Sequence, residues 1–199
     1  RPSIADPFLP LKISEGRIED IRECIGCNIC YAHDSLGVPI RCTQNPTMGE
    51  EWRFGWHPEK IKKKKSPKRF LVVGAGPSGL EAARVLGEQG NKVILAEATR
   101  NLGGRVIKES NLLGLAEWRR VSDWRITQIN KLPNIEIYRE SELVANDVTE
   151  LNVDFVMIAT GAKWAEDAVG RHSDTGFETT DKNMIIGAER ILSGEKIDA

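Results

Sequence analysis

FLVVGAGPSGLEAARVLGEQGNKVILAEA, residues 70–98, is the stretch that decides the fold. It opens as a short apolar, β-rich run, which predicts a buried parallel strand. Leu80, Ala83, Val85 and Leu86 then fall on one face of a helix, with Gly90 expected as its C-terminal cap. NKVILAEA, residues 91–98, predicts the second strand. The three pieces make a β-α-β unit, whose crossover is right-handed and joins parallel strands.

Between strand and helix, Gly74-Ala75-Gly76-Pro77-Ser78-Gly79 fits G-x-G-x-x-G. The first glycine permits the tight turn, the second lets backbone approach a pyrophosphate, and the third allows close helix–strand contact. The helix N-terminus offers its unpaired N–H groups and positive dipole end to the phosphates. Glu97 lies eighteen residues past Gly79, at the end of the second strand. A carboxylate there accepts the hydroxyls of an adenosine ribose and repels a 2′-phosphate. Leu102-Gly103-Gly104-Arg105 and Ala159-Thr160-Gly161-Ala162 supply two further points of backbone approach. Both additions resemble the FAD-type domain of two-dinucleotide flavoprotein reductases rather than a simple NAD fold, which implies an FAD-like or ADP-only site.

All four cysteines lie upstream, at Cys24, Cys27, Cys30 and Cys42, in the pattern C-x2-C-x2-C-x11-C. Three thiolates two residues apart with a fourth returning from a loop suit a [4Fe–4S] cluster. Zinc is the main alternative, though an all-cysteine zinc site more often draws on two separated C-x2-C knuckles. Disulfides would require an oxidising compartment, and no signal peptide argues for one.

The 199 residues carry 40% hydrophobic and 29% charged side chains with a net charge of −1, an ordinary globular balance. That charge gives no reason to expect nucleic acid or an anionic membrane as partner. No apolar run approaches the roughly eighteen residues of a membrane span. The expected location is cytoplasmic. The chain begins at Arg1 rather than Met and is expected to be a segment of something longer. Residues 1–16 read as a Pro-rich loop, and GRIEDIREC as a short helix running into the cysteines. IKKKKSPKR, residues 61–69, reads as a solvated linker at a domain boundary. Residues 114–132 look like one amphipathic helix with Trp118 and Trp124 as packing residues, and 135–140 and 154–162 like further strands. The tail NMIIGAERILSG is weakly helical. His33 reads as a surface residue, with tuning or shielding of a cluster as the alternative, His57 as a packing residue and His172 as part of a polar loop. With every cysteine committed, no catalytic constellation emerges.

Several pieces coincide with one known family: RPSIADPFLP, CIGCN with CTQNP, GEEWRFGWHPEK, VGAGPSGLEAARVL, GLAEW with RITQINKL, and VMIATGAKW. The chain resembles the trimethylamine dehydrogenase group of iron–sulfur flavoproteins, which includes dimethylamine and histamine dehydrogenases. It is similar more distantly to bacterial 2,4-dienoyl-CoA reductase. GLAEW and ATGAKW favour the amine dehydrogenases.

The resemblance implies an α/β fold: a Rossmann-like FAD/ADP-binding domain (67–199, incomplete at its C-terminus) preceded by a (β/α)8-barrel tail, cluster segment and linker (1–66). It implies FMN in the barrel, with Arg1 matching an arginine on the FMN phosphate, and Cys24, Cys27, Cys30 and Cys42 as cluster ligands. Gly74, Gly76, Gly79, Glu97 and Arg105 match the adenine-nucleotide site, which holds ADP or FAD. The implied activity is oxidative N-demethylation or deamination of a small amine. Electrons then pass from FMN through the cluster to an electron-transferring flavoprotein, in a homo-oligomeric full-length enzyme. The x11 gap is about one residue shorter than the amine dehydrogenase pattern, which alters the loop at 31–41. Two alternatives stay open: an NAD(P)H-dependent enoyl reductase, and a zinc-stabilised nucleotide-binding module without enzymatic activity.

Overall fold

The structure, a computed structural model, describes residues 2–54, 61–170, 174–176 and 185–196. It divides into two compact units, Arg1–Thr160 and Gly161–Ala199.

The first sixteen residues are more regular than their prolines suggest. Helix α1 spans Pro2–Ala5 and α2 spans Leu9–Ser14. Each has a proline in its first turn, where a missing N–H costs nothing and the fixed φ suits a helix. The buried Asp6 carboxylate between them holds the segment down. It accepts hydrogen bonds from the N–H groups of Phe8 (3.0 Å) and Arg22 (2.8 Å) and pairs with Lys12 at 2.6 Å. The expected helix before the cysteines shrinks to a 3-10 turn at Ile18–Asp20. Arg22 explains this, because its backbone and its Nε are bound to Asp6 and the Ala5 carbonyl instead of to a helix. Helix α3 (Ile29–Ser35) carries Cys30, and α4 covers Glu51–Phe54.

The linker lysines are exposed, and the backbone N–H of Lys64 donates to the Gln89 carbonyl at 2.8 Å. Strand β1 (Arg69–Val73), α5 (Pro77–Glu88) and β2 (Lys92–Ala96) realise the β-α-β unit. Gly90 closes α5 at φ +89°, its N–H donating to the Gly87 carbonyl at 2.8 Å. Helix α6 spans Arg105–Glu109. The single helix expected over 114–132 divides into a 3-10 turn at Ala116–Arg119 and α7 at Arg120–Asn130. Gly114 at φ +80° and the tightened first turn limit the α-helix on its N-terminal side. Strand β3 (Ile135–Tyr138), α8 (Ala145–Glu150) and β4 (Phe155–Ile158) complete the first unit.

Among the described residues the strand pairings are parallel, in the order β3-β2-β1-β4. This is the 3-2-1-4 order of the first four strands of a Rossmann sheet. Leu71 stands opposite Ile94 on one side and Val156 on the other. The core joins Val72, Val93 and Leu95 to Leu80 and Ala83 of α5 and Ile129 of α7. Val85 is only half-buried, whereas Arg84 is buried among neighbours described below. A second cluster joins Ile25 to Val106 and Val121, with Cys27 and Trp118 packed against it. The cysteine segment therefore shares a hydrophobic core with the nucleotide-binding fold. Among the described residues no helix is long and apolar enough to cross a membrane.

In the second unit, α9 (Ala188–Leu192) occupies part of the expected helical tail, and Glu195 pairs with Arg190.

Candidate functional site

The glycine-rich turn has the tight geometry its glycines allow. A Cβ on Gly79 would lie 1.8 Å from the Gly74 carbonyl oxygen, so helix and strand close to a distance only glycine permits. Gly74 sits at φ +98°, with the Ala159 carbonyl oxygen 2.5 Å from where a Cβ would be. Gly76 is different: a Cβ there meets nothing within 4 Å. Internal packing does not require this glycine, and the open space beside it leaves the backbone accessible to a ligand. The side chain of Gly76's successor, Pro77, opens α5, and no side chain caps the N-terminal N–H groups. Ser78 is exposed beside them.

The second glycine turn folds onto the first. The N–H of Gly103 donates to the Ala75 carbonyl at 2.8 Å, and Gly104 packs on the backbone of Gly76. Arg105 begins α6 and pairs with Glu109 at 2.9 Å. Glu97 reaches under the turn: its Oε2 accepts the N–H of Ala75 at 2.8 Å. Its Oε1 accepts the N–H and the hydroxyl of Thr99, each at 2.9 Å. Two carboxylate oxygens offer about four acceptor positions, so one stays available for a ribose hydroxyl. Thr160 follows β4 at the end of the first unit, and Gly161 opens the second at φ +81°. Arg1, His57 and His172 lie outside the described residues.

The four cysteines converge as well. Cys24, Cys27, Cys30 and Cys42 line one cavity of about 180 Å³, together with Gln44 and Ile4. Left-handed backbone at Gly26 (φ +70°) and Asn28 (φ +58°) turns the chain between the first three. None of the four is in a disulfide. Among the described residues, no three His, Cys, Asp or Glu side chains come together so as to hold a single metal ion. A cavity of this size lined by four thiols has room for a multi-atom group, and thiolates are the donors that a [4Fe–4S] cluster takes. The N–H of Gly26 donates to Cys24 Sγ at 3.4 Å, and the Thr43 hydroxyl shares a hydrogen bond with Cys27 Sγ at 3.1 Å. His33 does not face the cavity lining; its Nδ1 bonds the Pro39 carbonyl at 2.9 Å and braces the 31–41 loop.

Polar contacts that no sequence motif marks join the cysteine segment to α5 and α7. Arg120 donates to the Cys24 carbonyl at 3.1 Å, and the Trp124 indole N–H to the Asp20 carbonyl at 3.0 Å. Arg125, buried on α7, bonds both Gln44 and Glu81. Burial alone would raise the Glu81 carboxyl, but Arg84, with Arg125 and Arg22, holds it below its ordinary value. Burial pushes the Arg125 guanidinium down, against the pull of Glu81. Their only signal in the sequence was the i, i+4 placement of Arg125 with Val121 and Ile129.

The family described as pyridine nucleotide-disulphide oxidoreductase matches residues 44–191. Dimethylamine dehydrogenase of Hyphomicrobium sp. (strain x) is 45% identical over 98% of this chain and 28% of its own length. The solved structure of histamine dehydrogenase from Rhizobium sp. 4-9 superposes with a TM-score of 0.93 at 52% identity, covering 99% of this chain and 29% of that one. That of 6-hydroxypseudooxynicotine amine oxidase from Pseudomonas geniculata N1 does so at 0.93 and 48%, covering 98% and 29%. The chain thus spans under a third of the length of the relatives it matches. These include members of the group its motifs singled out.

Proposed function

The chain belongs to the pyridine nucleotide-disulphide oxidoreductase family, and from that premise we propose that it is the electron-relay portion of an amine dehydrogenase. The observation that carries the reading is the cavity lined by all four cysteines, packed within the same unit against a nucleotide-binding fold. Residues 1–66 form the barrel tail, cluster segment and linker in this reading, and 67–199 the FAD/ADP-binding domain.

Cys24, Cys27, Cys30 and Cys42 are the ligands. Bound there, a [4Fe–4S] cluster supplies single-electron transfer, the capacity needed between FMN in a barrel domain and an external electron-transferring flavoprotein. The N–H of Gly26 and the hydroxyl of Thr43 stabilise thiolate charge on Cys24 and Cys27. The shared core of Ile25, Val106 and Val121 keeps water from that side of the cavity. Gly76 and the open N-terminus of α5 receive a pyrophosphate, Arg105 adds positive charge, and Glu97 takes the ribose of ADP or FAD. Gly104 and Thr160 provide backbone approach beside it, with Gly161 following in sequence. Oxidative N-demethylation or deamination of a small amine is the activity proposed for the whole, homo-oligomeric enzyme, and Arg1 is the residue proposed to reach the FMN phosphate there.

Anaerobic reconstitution with iron and sulfide tests this directly. A broad visible absorption that bleaches with dithionite is expected, as is tight ADP binding. Stoichiometric zinc without colour would reject the relay, and rapid bleaching by NADPH in the full-length protein would favour the enoyl reductase.

A further inference from the structure

Three arginines are buried around one indole. The guanidinium carbons of Arg22, Arg84 and Arg125 lie 4.9, 5.3 and 5.8 Å from the centroid of the Trp124 ring. All three residues are buried, at 1%, 8% and 4% exposure. So much positive charge out of water requires carboxylates close by. Glu81 on α5 answers two of them, with Oε1 2.5 Å from Arg84 Nη2 and Oε2 2.8 Å from Arg125 Nε. Glu88 takes the other side of Arg84 at 2.7 Å.

Arg125 also reaches the opposite way. Its Nη1 donates to Gln44 Oε1 at 3.0 Å and its Nη2 to the Gln44 carbonyl at 3.2 Å. Gln44 is 1% exposed, lines the cysteine cavity and stands two residues past Cys42. Its Nε2 donates to the Glu23 carbonyl at 3.0 Å, immediately before Cys24. One guanidinium therefore grips both ends of the cysteine run through a single glutamine, while its other edge is fixed by Glu81 of α5.

We propose that Arg125, held by Glu81 and presented through Gln44, is a positioning residue that sets the reduction potential of the group bound by the four cysteines. The inference rests on the cluster reading above. A group held by four thiolates is negatively charged and becomes more so on taking one electron. A buried cation behind the cavity favours that reduced form, with little screening by water. Glu81 opposes it by cancelling part of the same charge. The two side chains consequently act on the potential with opposite signs.

The experiment is a redox titration of the anaerobically purified protein, followed by visible absorption and electron paramagnetic resonance. Arg125→Met is expected to lower the reduced-to-oxidised ratio at the wild-type midpoint about tenfold, equivalent to about 59 mV for one electron. Arg125→Lys retains the charge and restores most of that loss, and Glu81→Gln moves the midpoint upward. Should Arg125→Met not fold, Gln44→Glu is nearly isosteric, keeps a partner for Arg125, and is expected to lower the midpoint. Unmoved midpoints, or shifts of the same sign in Glu81→Gln and the Arg125 or Gln44 variant, overturn the proposal and leave a structural strut. A wild-type protein that assembles no bleachable chromophore overturns both this inference and the relay reading, whereas a normal cluster with unmoved midpoints rejects this inference alone.

Discussion

Glu97 Oε2 accepts a hydrogen bond from the backbone N–H of Ala75 at 2.8 Å, so one carboxylate joins the end of β2 to the turn at the end of β1. Ala75 is fully buried, and its carbonyl holds Gly103 of the second turn. The residue proposed to recognise ribose is thus also a brace for the turn proposed to receive the phosphates. Glu97→Gln keeps the shape but loses the charge-assisted bonds, each worth about 1.5–3 kcal/mol. ADP affinity measured by calorimetry should fall at least tenfold. Glu97→Ala leaves the Ala75 N–H without its acceptor and should also lower unfolding stability by about 1–3 kcal/mol.

Two glycines of the turn should separate folding from binding. Gly79→Ala drives a methyl to within 1.8 Å of the Gly74 carbonyl oxygen and should cost several degrees of Tm or prevent folding. Gly76→Ala meets open space at a φ of −69°. Its Tm should stay close to wild type while ADP binding weakens markedly. Equal losses of stability in the two variants would contradict these roles.

Replacing one proposed cluster ligand tests the independence of the two sites. Cys42→Ala should abolish the dithionite-bleachable absorption and reduce bound iron and sulfide. Nucleotide affinity should change less than threefold, because Cys42 lies outside the shared core of Ile25, Val106 and Val121. Loss of ADP binding in this variant would show that the cavity supports the nucleotide turn directly.

A pH-dependent contribution comes from Asp20. The Lys131 ammonium at 2.6 Å, with Gln128 and Arg17, lowers its carboxyl to about 2 despite some burial. Because the folded value lies below the unfolded one, the stabilisation is full above about pH 4 and is lost as pH falls toward 2. The pair is partly solvated, so Lys131→Met should cost about 0.5–1 kcal/mol near neutrality. Denaturant unfolding at pH 7 and at pH 2.5 should show this difference shrinking at the acid end.

The parts of the fold legible in the sequence are those governed by local rules. Strand β1, the glycine turn, α5 with Gly90, and β2 obey short-range periodicity and glycine stereochemistry, and they formed where expected. The first sixteen residues did not look helical, because their prolines suggested loop. Only Asp6, buried under contacts from Phe8, Lys12 and Arg22, makes two short helices stable there. The long helix expected at 114–132 shortened because a tightened turn follows Gly114.

The sequence by itself determined the ligand types and their spacing: four thiols, three turn glycines and an acid at the end of the second strand. Such chemistry is local, since a G-x-G-x-x-G turn or a C-x2-C run brings its own groups within reach. Only the tertiary structure decided that Gly26 and Asn28 turn the thiols around one cavity, and that Arg125 stands behind it, bound to Gln44 and Glu81. Those contacts join residues 81 and 44 positions apart in the chain. No periodicity encodes them, and a charged side chain on an otherwise apolar helix face reveals its role only once its buried partners are in place.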